Sequence, residues 1–81
     1  MTDTLSKYRI DALGYKPSQI DIIEVKPFAS SNAIGQVTTY VELYKRDFNP
    51  SLPVKGVIVT DWYIEDIDIL TDKLGIDYYV L

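Results

Sequence analysis

Between residues 7 and 13 apolar and polar positions alternate, with Tyr8, Ile10 and Ala12 on one side and Lys7, Arg9, Asp11 and Leu13 on the other. Successive side chains of a strand point to opposite faces, so this period of two predicts a β-strand. Gly14, Pro17 and Ser18 interrupt the pattern and the run Ile20, Ile22, Ile23 and Val25 resumes it, which predicts a hairpin centred on Pro17 and Ser18. After Pro27 the side chains of Ser30, Ser31 and Asn32 can cap a helix, and Ala33, Ile34, Val37, Tyr40, Val41 and Tyr44 recur at helical spacing. The predicted helix covers about residues 31–46.

Pro50 and Pro53 stop that helix, and the compact β-branched run over residues 54–60 suits a central parallel strand. Asp61 is placed to cap a second helix with Ile64, Ile67, Leu70 and Leu74 as its apolar stripe. Glu65 and Asp66 suit the positive N-terminal end of that helix, and Gly75 its C-terminal stop. Residues 76–81 read as a closing strand. The order strand, strand, helix, strand, helix, strand implies an α/β fold with a four-stranded mixed sheet. Two right-handed crossovers advancing in one direction put both helices on the same face of the sheet. The strands nevertheless look apolar on both sides, Ile58 being opposed to Val57 and Val59, and Tyr78 and Val80 to Tyr79 and Leu81. A second copy or another subunit is therefore expected to cover the remaining face.

Composition narrows the chemistry. A chain of 81 residues, 47% hydrophobic and 25% charged, is a single folded domain over residues 1–81. With neither cysteine nor histidine, thiolate and imidazole chemistry is excluded, and zinc is disfavoured. Carboxylate, lysine, tyrosine and hydroxyl groups remain, a set that favours hard cations such as Mg²⁺ or Mn²⁺. No apolar run approaches the roughly 20 residues needed to span a bilayer, and the polar opening lacks the features of a secretion signal. A cytoplasmic protein with no membrane partner is the expectation. The net charge of −4 opposes nucleic-acid binding through long-range attraction, so any such contact must rest on local positive groups.

The predicted hairpin sets Asp11 nearly opposite Glu24. Facing like charges destabilise a sheet, which calls for a compensating cation. Lys26, two residues beyond Glu24, shares its face and can orient a water or stabilise phosphate charge. Taken singly, these are solvated charges at a strand end. Taken together with Arg9-Ile-Asp-Ala-Leu-Gly before them and Ala33-Ile-Gly-Gln-Val with Tyr40 on the following helix, they form a pattern that resembles the PD-(D/E)XK nuclease superfamily. The resemblance runs from about Tyr8 to the C-terminus.

The resemblance implies a restriction-endonuclease-like core in which Asp11, Glu24 and the carbonyl of Val25 bind Mg²⁺ or Mn²⁺ and Lys26 assists the attacking water. It also implies a role near the active site for Gln36, where the neighbouring Gly35 would allow close approach to the strand. Lys7 and Arg9, on the Asp11 face, and Lys45 and Arg46, at the end of the first helix, are candidate DNA contacts. The last two also suit the helix's negative end. Most superfamily members open with a helix and a strand before the Asp, so this chain resembles a minimal version whose missing layer comes from a homodimer or a second subunit. The resulting expectation is a metal-dependent DNA endonuclease or resolvase-like enzyme, of a size suited to a phage or mobile element. The alternative is a non-catalytic nuclease-like interaction module, or one subunit of a split nuclease.

Overall fold

The computed structural model describes residues 10–81. It contains β1 (Ala12–Tyr15), β2 (Ile20–Lys26), α1 (Ser31–Phe48), β3 (Val54–Thr60), α2 (Glu65–Leu74) and β4 (Asp77–Val80). The sheet order is β1-β2-β3-β4, with β1 antiparallel to β2 and the remaining pairs parallel. The mixed four-stranded sheet and the order of elements follow the sequence expectation.

The hairpin closes on residues 16–19, where the Lys16 N–H donates to the Gln19 carbonyl at 2.9 Å. Its ladder extends further than the alternation implies, since Gly14 pairs with Asp21 and Tyr15 with Ile20. Pro17, with its fixed φ, makes the turn. Gly14 instead serves a close cross-strand approach, because a Cβ there would lie 3.4 Å from that of Asp21.

Helix α1 runs to Phe48, two residues past the expected end. Packing of the Tyr44 and Phe48 rings, with centroids 4.5 Å apart, favours the added turn. Asn49 then ends it in the left-handed region at φ 44°, its N–H bonded to the Lys45 carbonyl. Helix α2 departs more from expectation. Asp61 does not cap it; its N–H donates to the Pro27 carbonyl at 3.2 Å, and the helix starts only at Glu65. The residue at the cap position is Ile64, whose N–H donates to the Tyr78 hydroxyl at 3.1 Å. The buried stripe is Ile67 and Thr71, whereas Leu70 and Leu74 are exposed. Thr71 can occupy the core because its hydroxyl is satisfied by the carbonyls of Ile67 and Asp68, at 2.8 and 3.0 Å.

One face of the sheet carries Leu13, Ile20, Ile22, Glu24, Gly56, Ile58, Thr60 and Tyr78, as the strand registers require. Gly56 passes beneath α1, where a Cβ would come within 3.1 Å of Val37. Ile20, Ile22 and Ile58 form one core with Ala33, Ile34, Val37, Val41 and Tyr44 of α1 and Ile67 of α2. Both helices thus cover the same face, as right-handed crossovers demand.

The opposite face is not uniformly apolar. Asp21 and Val57 are buried there, and ion pairs join Lys16 to Asp21 at 3.0 Å and Lys55 to Asp77 at 3.2 Å. Val25 and Tyr79 are its exposed apolar residues. Among the described residues no helix is long and apolar enough to cross a membrane.

Candidate functional site

The pairing Ala12↔Ile23 is the last of the hairpin ladder; Asp11, which the alternation placed inside the strand, immediately precedes β1 and lies one step beyond that pairing. Since alternate residues of a strand share a face, Glu24 and Lys26 of β2 point to the helix-covered side of the sheet, at its margin. The Val25 N–H, beyond the end of β1, donates to Asp11 Oδ2 at 2.9 Å. In an extended strand the N–H and C=O of one residue point to the same flank, so the Val25 carbonyl also faces Asp11. The structure therefore brings together Asp11, Glu24, Val25 and Lys26.

Their environments differ. The Glu24 side chain is 3% exposed, and that of Lys26, whose Nζ stands 3.6 Å from Glu24 Oε2, is 40% exposed. Burial pushes the Glu24 carboxyl above its ordinary range, the Asp11 charge adds to the rise, and the Lys26 ammonium opposes it. Asp11 itself is exposed. The arrangement is a buried carboxylate, an accessible one facing it, and an ammonium that can reach outward. Such hard oxygen donors fit Mg²⁺ or Mn²⁺, with water completing the shell, since Mg²⁺ commonly uses only one or two carboxylates. Among the described residues no three acidic side chains cluster as metal ligands, so two carboxylates and the Val25 carbonyl are the available set.

Other candidates stand apart. Gln36 is exposed on α1 and makes no hydrogen bond to Asp11, Glu24 or Lys26. Gly35 does not approach the strand; a Cβ there would meet nothing within 4 Å, which removes the reason offered for its presence. Lys45 lies beside Gln19, Val54 and Lys55, at the start of the parallel strands and far from their Glu24 and Lys26 ends. Six strand residues, about 20 Å, separate the two ends. Lys45 is paired with Glu42 at 3.2 Å and Arg46 with Asp47 at 2.8 Å. Lys7 and Arg9 lie outside the described residues.

Sequence reasoning missed an aromatic cluster on the loops that leave β2 and β3. Phe28 and Trp62 are 61% and 60% exposed and stack with centroids 6.0 Å apart and planes 8° from parallel. The loops are tied by the hydrogen bond from Asp61 to Pro27 and by the Thr60 hydroxyl, which donates to the Trp62 carbonyl at 3.0 Å. Tyr78 also donates to that carbonyl, at 3.2 Å. The available signal was large aromatics directly after strand ends, where loops carry binding residues.

No protein family, curated protein or solved structure significantly matches this chain. Over the described residues the fold defines it as a small α/β protein with a four-stranded mixed sheet and two helices on one face.

Proposed function

We propose that this protein is a metal-dependent nuclease of the PD-(D/E)XK type, with a restriction-endonuclease-like core, that hydrolyses phosphodiester bonds in DNA. The observation that carries this reading is Asp11, held by the Val25 N–H, beside a buried Glu24 whose partner is Lys26. Asp11, Glu24 and the Val25 carbonyl would hold Mg²⁺ or Mn²⁺. When bound, such an ion lowers the pKa of water and offsets charge on phosphoryl oxygens. Lys26 orients the water for attack and, being half-exposed on a flexible stem, can also meet phosphate. Burial keeps Glu24 fixed beneath the reacting groups and limits its contact with bulk water. Gln36 and the basic residues Lys7 and Arg9 remain candidates for substrate contact on this reading, whereas Lys45 and Arg46 stand at the other end of the sheet. A homodimer would place two sites on one particle.

Calorimetry with Mn²⁺ tests the carboxylates: the wild type binds, and Asp11→Ala, with its fold intact, binds at least tenfold more weakly. In a plasmid-nicking assay with Mg²⁺ or Mn²⁺ the wild type cuts, whereas Lys26→Ala keeps metal binding and loses cleavage. Equal Mn²⁺ affinity in both proteins, or cleavage unaffected by Lys26→Ala, rejects this site. One observation favours the second reading, a non-catalytic interaction module. The charges already satisfy one another, Asp11 through the Val25 N–H and Glu24 through Lys26. Absence of cleavage on every DNA and RNA substrate would select it.

A further inference from the structure

We propose that Phe28 and Trp62 form a stacking platform for an unpaired nucleobase beside the phosphate site, so that the substrate is single-stranded or locally unpaired nucleic acid. This inference rests on the nuclease reading and specifies its substrate. Phe28 follows Lys26 by two residues, which keeps their Cα atoms within about 7 Å. Trp62 follows Thr60, the residue paired with Lys26 across the sheet. The two rings are therefore carried by the same strand ends as the proposed chemistry.

The rings are held in place and remain open to solvent. Backbone and hydroxyl hydrogen bonds tie the two loops together, yet both rings are more than half exposed and contact each other nearly in parallel. By contrast, neighbouring Tyr63 has its own polar anchor, its hydroxyl donating to Asp68 at 2.8 Å. The indole N–H of Trp62 donates to no described residue. An exposed pair of flat rings offers an outer face on which a third flat ring can stack.

Charge limits the other contributions to binding. The chain carries a net charge of −4, and Lys45 and Arg46 stand at the far end of the sheet in company with Glu42 and Asp47. Asp61, beside Trp62, is also unfavourable to a backbone rich in phosphate. Among the described residues little positive charge thus stands beside the rings, and base stacking is the contribution they can add to the binding of a strand. A paired base within a duplex has both faces covered by its neighbours, so an unpaired base is the form that can use this platform.

Trp62 is the sole tryptophan, so its fluorescence reports on the platform directly. The full chain, kept metal-free with chelator to prevent hydrolysis, is titrated with a twelve-nucleotide oligothymidylate and with a blunt duplex of equal length. The expected result is saturable quenching by the oligonucleotide and little by the duplex, with Phe28→Ala weakening the affinity about 5- to 100-fold. Because Phe28 is exposed, that variant is expected to keep its fold, checked by circular dichroism. Emission unmoved by the oligonucleotide, equal quenching by duplex, or wild-type affinity in folded Phe28→Ala overturns the platform. Repeating the titrations with Mg²⁺ or Mn²⁺ separates the two ideas. Duplex cleavage without a selective Trp62 response leaves the hydrolase reading standing and overturns the platform, while selective quenching without cleavage retains the platform and overturns hydrolysis.

Discussion

Glu24→Gln is expected to make the metal-free protein more stable at pH 7, because the native carboxylate is held in an unfavourable place. Its attraction to Lys26 at 3.6 Å is about 4–5 kcal/mol at an effective dielectric of 20, less after solvent screening of the half-exposed ammonium. Repulsion by the exposed, solvent-screened Asp11 offsets part of that attraction, and desolvation of a buried anion costs several kcal/mol more. The balance is a destabilisation on the order of 1–2 kcal/mol, which the neutral, nearly isosteric amide removes.

The pH dependence follows from the direction of the shift. Burial first and Asp11 second raise the Glu24 carboxyl above its ordinary 4.5, so the folded chain binds this proton more tightly than the unfolded chain does. Protonated Glu24 carries no penalty below the ordinary value. The penalty grows as pH rises toward the raised folded value and is complete above it. The difference between variant and wild type should therefore be near zero at pH 4 or below and reach its full size by neutral pH. Urea unfolding in chelator at several pH values measures it. A variant less stable than wild type at pH 7, or a gain of equal size at pH 4, would refute the reasoning. With Mn²⁺ at a hundred times the dissociation constant the wild type should gain about 2.7 kcal/mol and the variant almost none, reversing their order.

Gly35→Ala is expected to stabilise the protein by about 0.5–1 kcal/mol, since the position is inside α1 and a Cβ there meets open space. A fall in the thermal midpoint would contradict that. The chain is also expected to form a homodimer at micromolar concentration, through the sheet face where Val25 and Tyr79 are exposed or through the edge strand β4. Light scattering that returns the mass of one chain with a cooperative thermal transition would exclude it.

The parts legible from the sequence were those set by short-range rules. Pro17 and Ser18 set the hairpin centre and thereby the register of β1 on β2, while the apolar spacing from Ala33 to Tyr44 marked the buried stripe of α1. The parts that were not legible depend on partners distant in the chain. Asp61 looks like a cap until Pro27 takes its N–H and the Tyr78 hydroxyl takes that of Ile64. Leu70 and Leu74 look like core until Thr71, with its hydroxyl internally bonded, occupies the buried position. The charged end of the second sheet face was concealed for the same reason, because Asp21, Lys55 and Asp77 find their places through cross-strand register and ion pairing. Trp62 and Phe28 are far apart in sequence, and only parallel pairing of β2 with β3 sets their loops side by side.

On the nuclease reading, the self-satisfied charges define what ligand binding must exchange. Lys26 neutralises part of the Glu24 charge in the unliganded state, so a cation arriving at Glu24 and Asp11 makes that ion pair unfavourable through like-charge repulsion. The ammonium would then turn outward, toward the side where its half-exposed stem already has room. Cation and phosphate binding would thereby be coupled, each strengthening the other because each removes a competing partner of the same pair. Replacing Lys26 by Ala removes this competition and leaves the buried carboxylate without its counter-ion, which should tighten Mn²⁺ binding while abolishing the benefit that phosphate brings to it.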